Sequence, residues 1–192
     1  MDDAALLQAA AGGDAAAFGV FMRTHEAAVH RYLLSLIGAG ADEEDALQET
    51  FINAWRSAGS FAGRGAARGW LYAIARNVVH HQVRRRVGEP EHVESLEELA
   101  ESAGWGAPAT DDHAGATIAR ELLDAGLRRL PAEEREVLVL RELDGFSGEE
   151  TAALIGISLP AMKSRLHRAR VHLAAAVRAL DTTTTDRSIA NA

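Results

Sequence analysis

The chain of 192 residues is 47% hydrophobic, enough apolar material for one medium core or two small ones. It has no cysteine, which excludes disulfides, thiolate metal sites and thiol catalysis. No run is long and apolar enough to cross a bilayer and Met1-Asp2-Asp3 is unlike a secretory start, so a cytoplasmic protein without membrane insertion is expected.

The formal net charge of -8 excludes a uniformly basic surface, but the charge is segregated. Residues 1–60 carry 3 cations and 9 anions, and residues 61–86 carry 6 cations and no anion. Residues 87–115 carry 8 anions and no cation, and residues 116–180 carry 10 cations and 9 anions. Two cationic surfaces therefore flank an acidic connector. With a Debye length of about 8–10 Å, phosphate binding follows the local field rather than the total, so such surfaces suit nucleic acid.

In chain order, Phe18, Phe21, Met22, Val29, Tyr32, Leu33, Leu36 and Ile37 recur at helical spacing, predicting a core-facing helix over 15–37 capped by Asp14. Gly38-Ala39-Gly40 breaks it, and a second helix opens at Asp42. Its Leu47, Phe51, Ala54 and Trp55 point one way while Asp45, Gln48, Glu49 and Arg56 point others. Residues 59–69 read as a glycine-rich loop holding Arg64 and Arg68. A third helix follows from Trp70, with Leu71, Ile74, Val78 and Val79 inward and Arg76, Asn77, His80, His81 and Arg84–Arg86 polar. Residues 1–86 thus form one helical domain, and 87–115, with Gly88, Pro90, Gly104, Gly106 and Pro108, a flexible linker with one weak helical turn near 95–100.

A second helical domain occupies 116–180. Leu122, Leu123, Leu127 and Leu130 stop at Pro131, and Val137, Leu138, Leu140 and Leu143 follow. Ser147 with Glu150 makes a capping-box pattern, Gly156 sits where a tight turn needs no side chain, and Ser158 can cap the next helix. On that helix Met162, Leu166, Ala169 and Leu173 face inward, leaving Lys163, Ser164, His167, Arg168 and Arg170 at least partly outward. Between 157 and 180 stand five cations and no carboxylate. A helix, a turn and a cationic helix make a helix-turn-helix, whose second helix enters the DNA major groove. Residues 181–192 read as a frayed, disordered tail. The fold class is all-α: two small helical domains joined by an acidic linker.

Catalysis is poorly served. His80 and His81 are adjacent and diverge, His167 and His172 are five apart, and 42–45 has no histidine beside it. There is no phosphate-binding glycine loop and no nucleophile motif, so neither an enzyme nor a cofactor or metal is expected. One reading is a stand-alone helix-turn-helix regulator, which would bind duplex DNA tightly on its own.

The first domain discriminates. Asp45-Ala46-Leu47-Gln48-Glu49-Thr50-Phe51, Ala54-Trp55-Arg56, Phe61, Gly63, Arg68, Trp70-Leu71, Ile74-Ala75-Arg76-Asn77 and Arg84-Arg85-Arg86 resemble region two of the extracytoplasmic-function sigma factors of bacterial RNA polymerase, within the sigma-70 family. Leu130-Pro131, Arg135, Val137-Leu138, Leu140-Arg141, Gly145, Ser147, Glu150, Ile155-Gly156-Ile157 and residues 163–170 are similar to region four. The pattern departs at Leu159-Pro160-Ala161-Met162, which replaces the usual Gly-Thr-Val, at Gly148, where an aromatic is common, and at Ala46, a usual leucine.

The resemblance implies that Asp45, Gln48 and Glu49 dock on the clamp helices of the largest subunit of core polymerase. It implies that Phe61, Arg64, Arg68 and Asn77 serve capture of a minus 10 base, and that Arg76, Arg84, Arg85 and Arg86 follow phosphates. Lys163, Ser164, His167 and Arg168 would read the minus 35 element of promoter DNA, with Arg165 and Arg141 on its backbone. It also implies contact with the flap of the second-largest subunit, a connector threading the polymerase channels, and regulation by an anti-sigma factor that no residue identifies. One further expectation is that the acidic connector covers the cationic surfaces in the free protein.

Overall fold

The computed structural model describes residues 2–37, 41–61, 66–87 and 117–190. The linker and its expected helical turn, the break at 38–40, Arg64, and the side chains of Arg84, Arg85 and Arg86 lie outside the described residues. Among those described, every regular element is helical.

The N-terminal group contains α1 (Asp3–Ala11), α2 (Ala15–Ile37), α3 (Ala41–Ser57) and α4 (Ala67–Val87). Asp14 Oδ1 accepts from the amides of Ala16 and Ala17 at 2.9 and 3.0 Å, which caps α2 where the sequence placed its start. The apolar stripe of α2 buries Phe18, Phe21, Val29, Tyr32 and Leu33, and Phe18 meets Trp55 of α3 edge-on at 5.1 Å. The stripe periodicity does not announce α1. That alanine-rich segment is short, but it buries Leu6, Leu7 and Ala10, and its Asp3 pairs with the buried His25 of α2 at 2.8 Å.

Helix α4 begins three residues before Trp70, so Arg68 belongs to its first turn rather than to a loop. Trp70, Leu71, Ile74, Val78 and Val79 are buried as expected, and Trp70 packs on Phe61 at 5.6 Å between ring centres.

The C-terminal group contains α5 (Thr117–Arg128), α6 (Ala132–Leu138), a π turn (Val139–Leu143), α7 (Gly148–Ile155) and α8 (Leu159–Ala190). Pro131 separates α5 from α6 because it offers no amide to continue a helix. The π turn is closed by Asp144 N donating to Val139 O at 2.8 Å. Its extra residue rotates the following face, so Leu143 is 41% exposed instead of continuing the apolar series of Val137, Leu138 and Leu140.

Ser147 and Glu150 complete the capping box, with Glu150 N donating to Ser147 Oγ at 3.1 Å and Ser147 N to Glu150 Oε2 at 2.6 Å. Gly156 ends α7 at φ 72°, a left-handed conformation that disfavours any side chain. Gly148 faces α8 so closely that a Cβ would lie 3.1 Å from Met162 Cε and 3.2 Å from Leu159 Cδ1. The backbone of α8 continues to Ala190, beyond the point at which a frayed tail was expected, since 181–190 holds neither glycine nor proline to stop it.

The two groups touch. Helix α2 lies on α6, and α4 on α7, so the described residues form one continuous helical body.

Candidate nucleic-acid interface

The capped turn at 147–158 fixes how α8 is presented. Met162, Leu166 and Ala169 are buried beneath it, each worth up to about 1.5–3 kcal/mol for the larger side chains. The opposite face carries Lys163, Ser164, His167 and Arg168, all exposed and at spacings of one, four and five that put them on one side of the helix. Lys163, Ser164 and His167 make no hydrogen bond or ion pair among the described residues. Arg168 has only a loose contact, 3.9 Å to Glu134 Oε1. These donors and the imidazole are the side-chain types that read base edges in a major groove.

Carboxylates on α6 frame that face from behind. Arg165 is half-buried and pairs with Glu133 at 2.9 Å, while the buried Glu134 accepts from His172 Nδ1 at 2.7 Å. Arg170 pairs with Glu142. Arg141 is turned inward, donating to the carbonyl of Phe146 and so holding the turn ahead of α7.

On the N-terminal group the assigned residues are placed differently. Phe61 is half-buried against Trp70, and Asn77 is half-buried on α4. Arg76 Nε donates to Glu136 Oε1 at 3.0 Å, and its Nη2 to the carbonyl of Ile155 at 3.3 Å. Glu136 is 6% exposed and also accepts from Tyr32 Oη at 2.8 Å. The Arg68 guanidinium stands 4.1 Å from the centre of the Phe146 ring and 5.6 Å from that of Tyr72. Arg31 Nη2 donates to the buried Asp144 Oδ1 at 2.6 Å. Apart from Phe61 on Trp70 and Arg68 on Tyr72, each of these contacts joins one half of the molecule to the other.

Burial sets the electrostatics of this seam. It pushes the Tyr32 hydroxyl well above its ordinary value, reinforced by the Glu136 carboxylate beside it. Burial likewise raises Tyr72, with Asp144 adding to the effect. Asp144 is itself raised by desolvation, although Arg31 and Arg68 pull it down. The sequence gives no hint of this seam. Arg31 meets Asp144 across 113 positions and Tyr32 meets Glu136 across 104, and no local periodicity encodes such pairings.

On α3, Asp45 and Gln48 are exposed, and Glu49 is half-buried, accepting from Gln82 Nε2 of α4 at 3.3 Å. No group of three or more His, Asp or Glu able to hold a metal occurs among the described residues, and none of their helices is long and apolar enough to cross a membrane.

Comparison with known proteins agrees across both halves. Residues 21–88 match the model of Sigma-70 region 2, and residues 120–173 that of Sigma-70, region 4. The ECF RNA polymerase sigma factor SigM of Mycobacterium tuberculosis is 34% identical over 172 residues, covering 90% of this chain and 83% of that protein. Among solved structures, CnrH of Cupriavidus metallidurans, in complex with the cytosolic domain of CnrY, superposes with a TM-score of 0.62 at 28% identity, covering 92% of this chain and 97% of that one. RpoE of Bartonella quintana, in complex with the anti-sigma factor NepR, gives 0.65 at 26% identity, covering 84% and 96%. The chain belongs to the extracytoplasmic-function sigma factors of the sigma-70 family, which direct RNA polymerase to promoters and are not themselves catalysts.

Proposed function

We propose that this sigma factor divides promoter reading between two modules, residues 1–86 and 116–180, tied by the acidic 87–115 connector and followed by a 181–192 tail. Lys163, Ser164, His167 and Arg168 read the minus 35 element from α8, and Arg165 and Arg141 support the DNA backbone contact. Phe61, Arg64, Arg68 and Asn77 capture the minus 10 base, with Arg76, Arg84, Arg85 and Arg86 along the phosphates. Asp45, Gln48 and Glu49 dock on the clamp helices of the largest core subunit, where a carboxylate and amide cluster suits arginine-rich partners. The C-terminal module also meets the flap of the second-largest subunit. The protein works in the cytoplasm, and an anti-sigma factor regulates it; RpoE is seen in complex with the anti-sigma factor NepR, and CnrH with the cytosolic domain of CnrY.

The observation that supports this reading most directly is the face of α8. Three polar side chains and an arginine are exposed together on a helix whose start, turn and buried side are all fixed. A stand-alone regulator would share that face but not the region 2 match over 21–88.

In vitro transcription with purified core polymerase, followed by mapping of start sites, tests it. The chain is expected to bind core and to direct initiation at sites sharing one upstream and one downstream element. Tight footprinting of duplex promoters by the isolated chain, or failure to co-purify with core, would overturn the proposal.

A further inference from the structure

Three arginines of α8 each have a carboxylate beside them, and the three carboxylates differ in their freedom to move. Glu133, against Arg165, has a side chain 73% exposed, and Glu142, against Arg170, one 44% exposed. Both can follow a mobile guanidinium into water. Glu134, against Arg168, has a side chain only 11% exposed. Its amide donates to Pro131 O at 3.0 Å, which fixes it in the first turn of α6, and α6 packs on α8. A carboxylate so covered depends on protein groups to satisfy its oxygens.

Those oxygens are divided between two partners. Oε2 accepts from His172 Nδ1 at 2.7 Å, and Oε1 lies 3.9 Å from Arg168 Nε. His172 stands one helical turn beyond Arg168, so ring and guanidinium share a side of α8. By taking one oxygen, the imidazole sets the plane of the carboxylate and turns the other toward Arg168. A separation of 3.9 Å is too long for a hydrogen bond, yet short enough for the charges to attract. The contact is on the Nε edge, which leaves the two terminal nitrogens for an acceptor pair such as guanine O6 and N7.

An arginine on an exposed helix face has many rotamers, and only some aim its fork into a groove. A fixed charge behind it narrows that set before DNA arrives. The same carboxylate repels phosphates, so it also weakens attraction that does not depend on sequence.

We propose that Glu134 and His172 are specificity-determining positioning residues: acting through Arg168 rather than on a base, they hold its guanidinium in one reading orientation and so sharpen discrimination at one base pair of the minus 35 element. The inference rests on the assignment of Arg168 to that element.

The experiment uses holoenzyme assembled with the full-length chain, and a mapped promoter in which each upstream base pair is varied in turn. Arg168→Ala first locates the pair that Arg168 reads. Glu134→Gln keeps the length of the side chain and an acceptor for His172 but removes the charge, and is expected to reduce discrimination at that pair alone by about fivefold. Binding to a scrambled upstream element should hold or tighten. His172→Ala, at an exposed position, disturbs no buried group of its own and is expected to reduce the same preference by a smaller factor. In an Arg168→Ala background neither substitution should change the preference further.

An unchanged preference in both variants, where Arg168→Ala abolishes it, overturns the positioning role and leaves the Arg168 assignment standing. So does a loss spread evenly over all upstream positions, or one undiminished in the Arg168→Ala background, since either marks a general weakening of the module. If Arg168→Ala leaves every base preference intact, the assignment itself has failed, and the inference with it.

Discussion

Helices α4 and α8 both carry cations, yet Arg68 and Arg76 of the first are turned into the molecule while Lys163 and Arg168 of the second face away from it. Arg68 and Arg76 are held by an aromatic face, a buried carboxylate and a carbonyl, whereas Lys163, Ser164 and His167 meet no charged partner among the described residues. Charge counts along the chain make the two surfaces look alike. Their difference arises from where the carboxylates of the C-terminal group point: Glu136 and Asp144 face across the seam, while Glu133 and Glu134 stay behind α8. Thus one short helix and the turn after it both expose one basic surface and occupy the other.

The sharpest way to break the comparison is to strip the exposed face. Lys163→Ala and Arg168→Ala are each expected to weaken holoenzyme binding to its upstream element by about 1–3 kcal/mol, with core affinity preserved. Measuring promoter binding and core binding in parallel checks this, because equal loss of both would indicate misfolding. On the occupied side, Tyr32→Phe removes a hydrogen bond to the buried Glu136 carboxylate, and a stability loss of roughly 1.5–3 kcal/mol in urea unfolding is expected.

Smaller effects sharpen the contrast. Gly156→Ala forces a side chain into a left-handed backbone, at a cost of about 1–2 kcal/mol to stability, and tilts the exposed face without touching its residues. A thermal melt and an upstream-element binding assay should therefore both respond. Glu133→Gln removes a pair whose carboxylate is largely solvated, and should shift stability by less than about 1 kcal/mol. A larger shift in the urea midpoint would show that the frame behind α8 matters more than its exposure implies.

Much of the fold was legible because its signals are local. The stripe of α2, the Asp14 cap, the Ser147 and Glu150 box and the turn at Gly156 each declare themselves within a few residues. What stayed hidden depends on tertiary packing. Helix α1 is short and alanine-rich, and only its burial against α2 distinguishes it from a loose terminus. The π turn moves Leu143 to the surface, and a regular helical period cannot anticipate an inserted residue. The exposed members of the candidate site were readable from charge and spacing on one helix. That Arg76 faces Glu136 was not, because the two are 60 positions apart and belong to different helical groups.

The absent side chain at 148 has a consequence for how recognition surfaces can be exchanged. The space in front of Gly148 is filled by Leu159 and Met162 of α8, which would stand 3.2 and 3.1 Å from a Cβ added there. Gly148 on one helix and Leu159 with Met162 on its neighbour therefore form one matched contact, with no room for a larger side chain at 148 unless the other two give way. A chimera that imports a foreign reading helix while keeping Gly148 would inherit a void, and one that sets an aromatic ring at 148 beneath the native helix would inherit a clash. Promoter preference in such hybrids must be transplanted as a matched pair of helices.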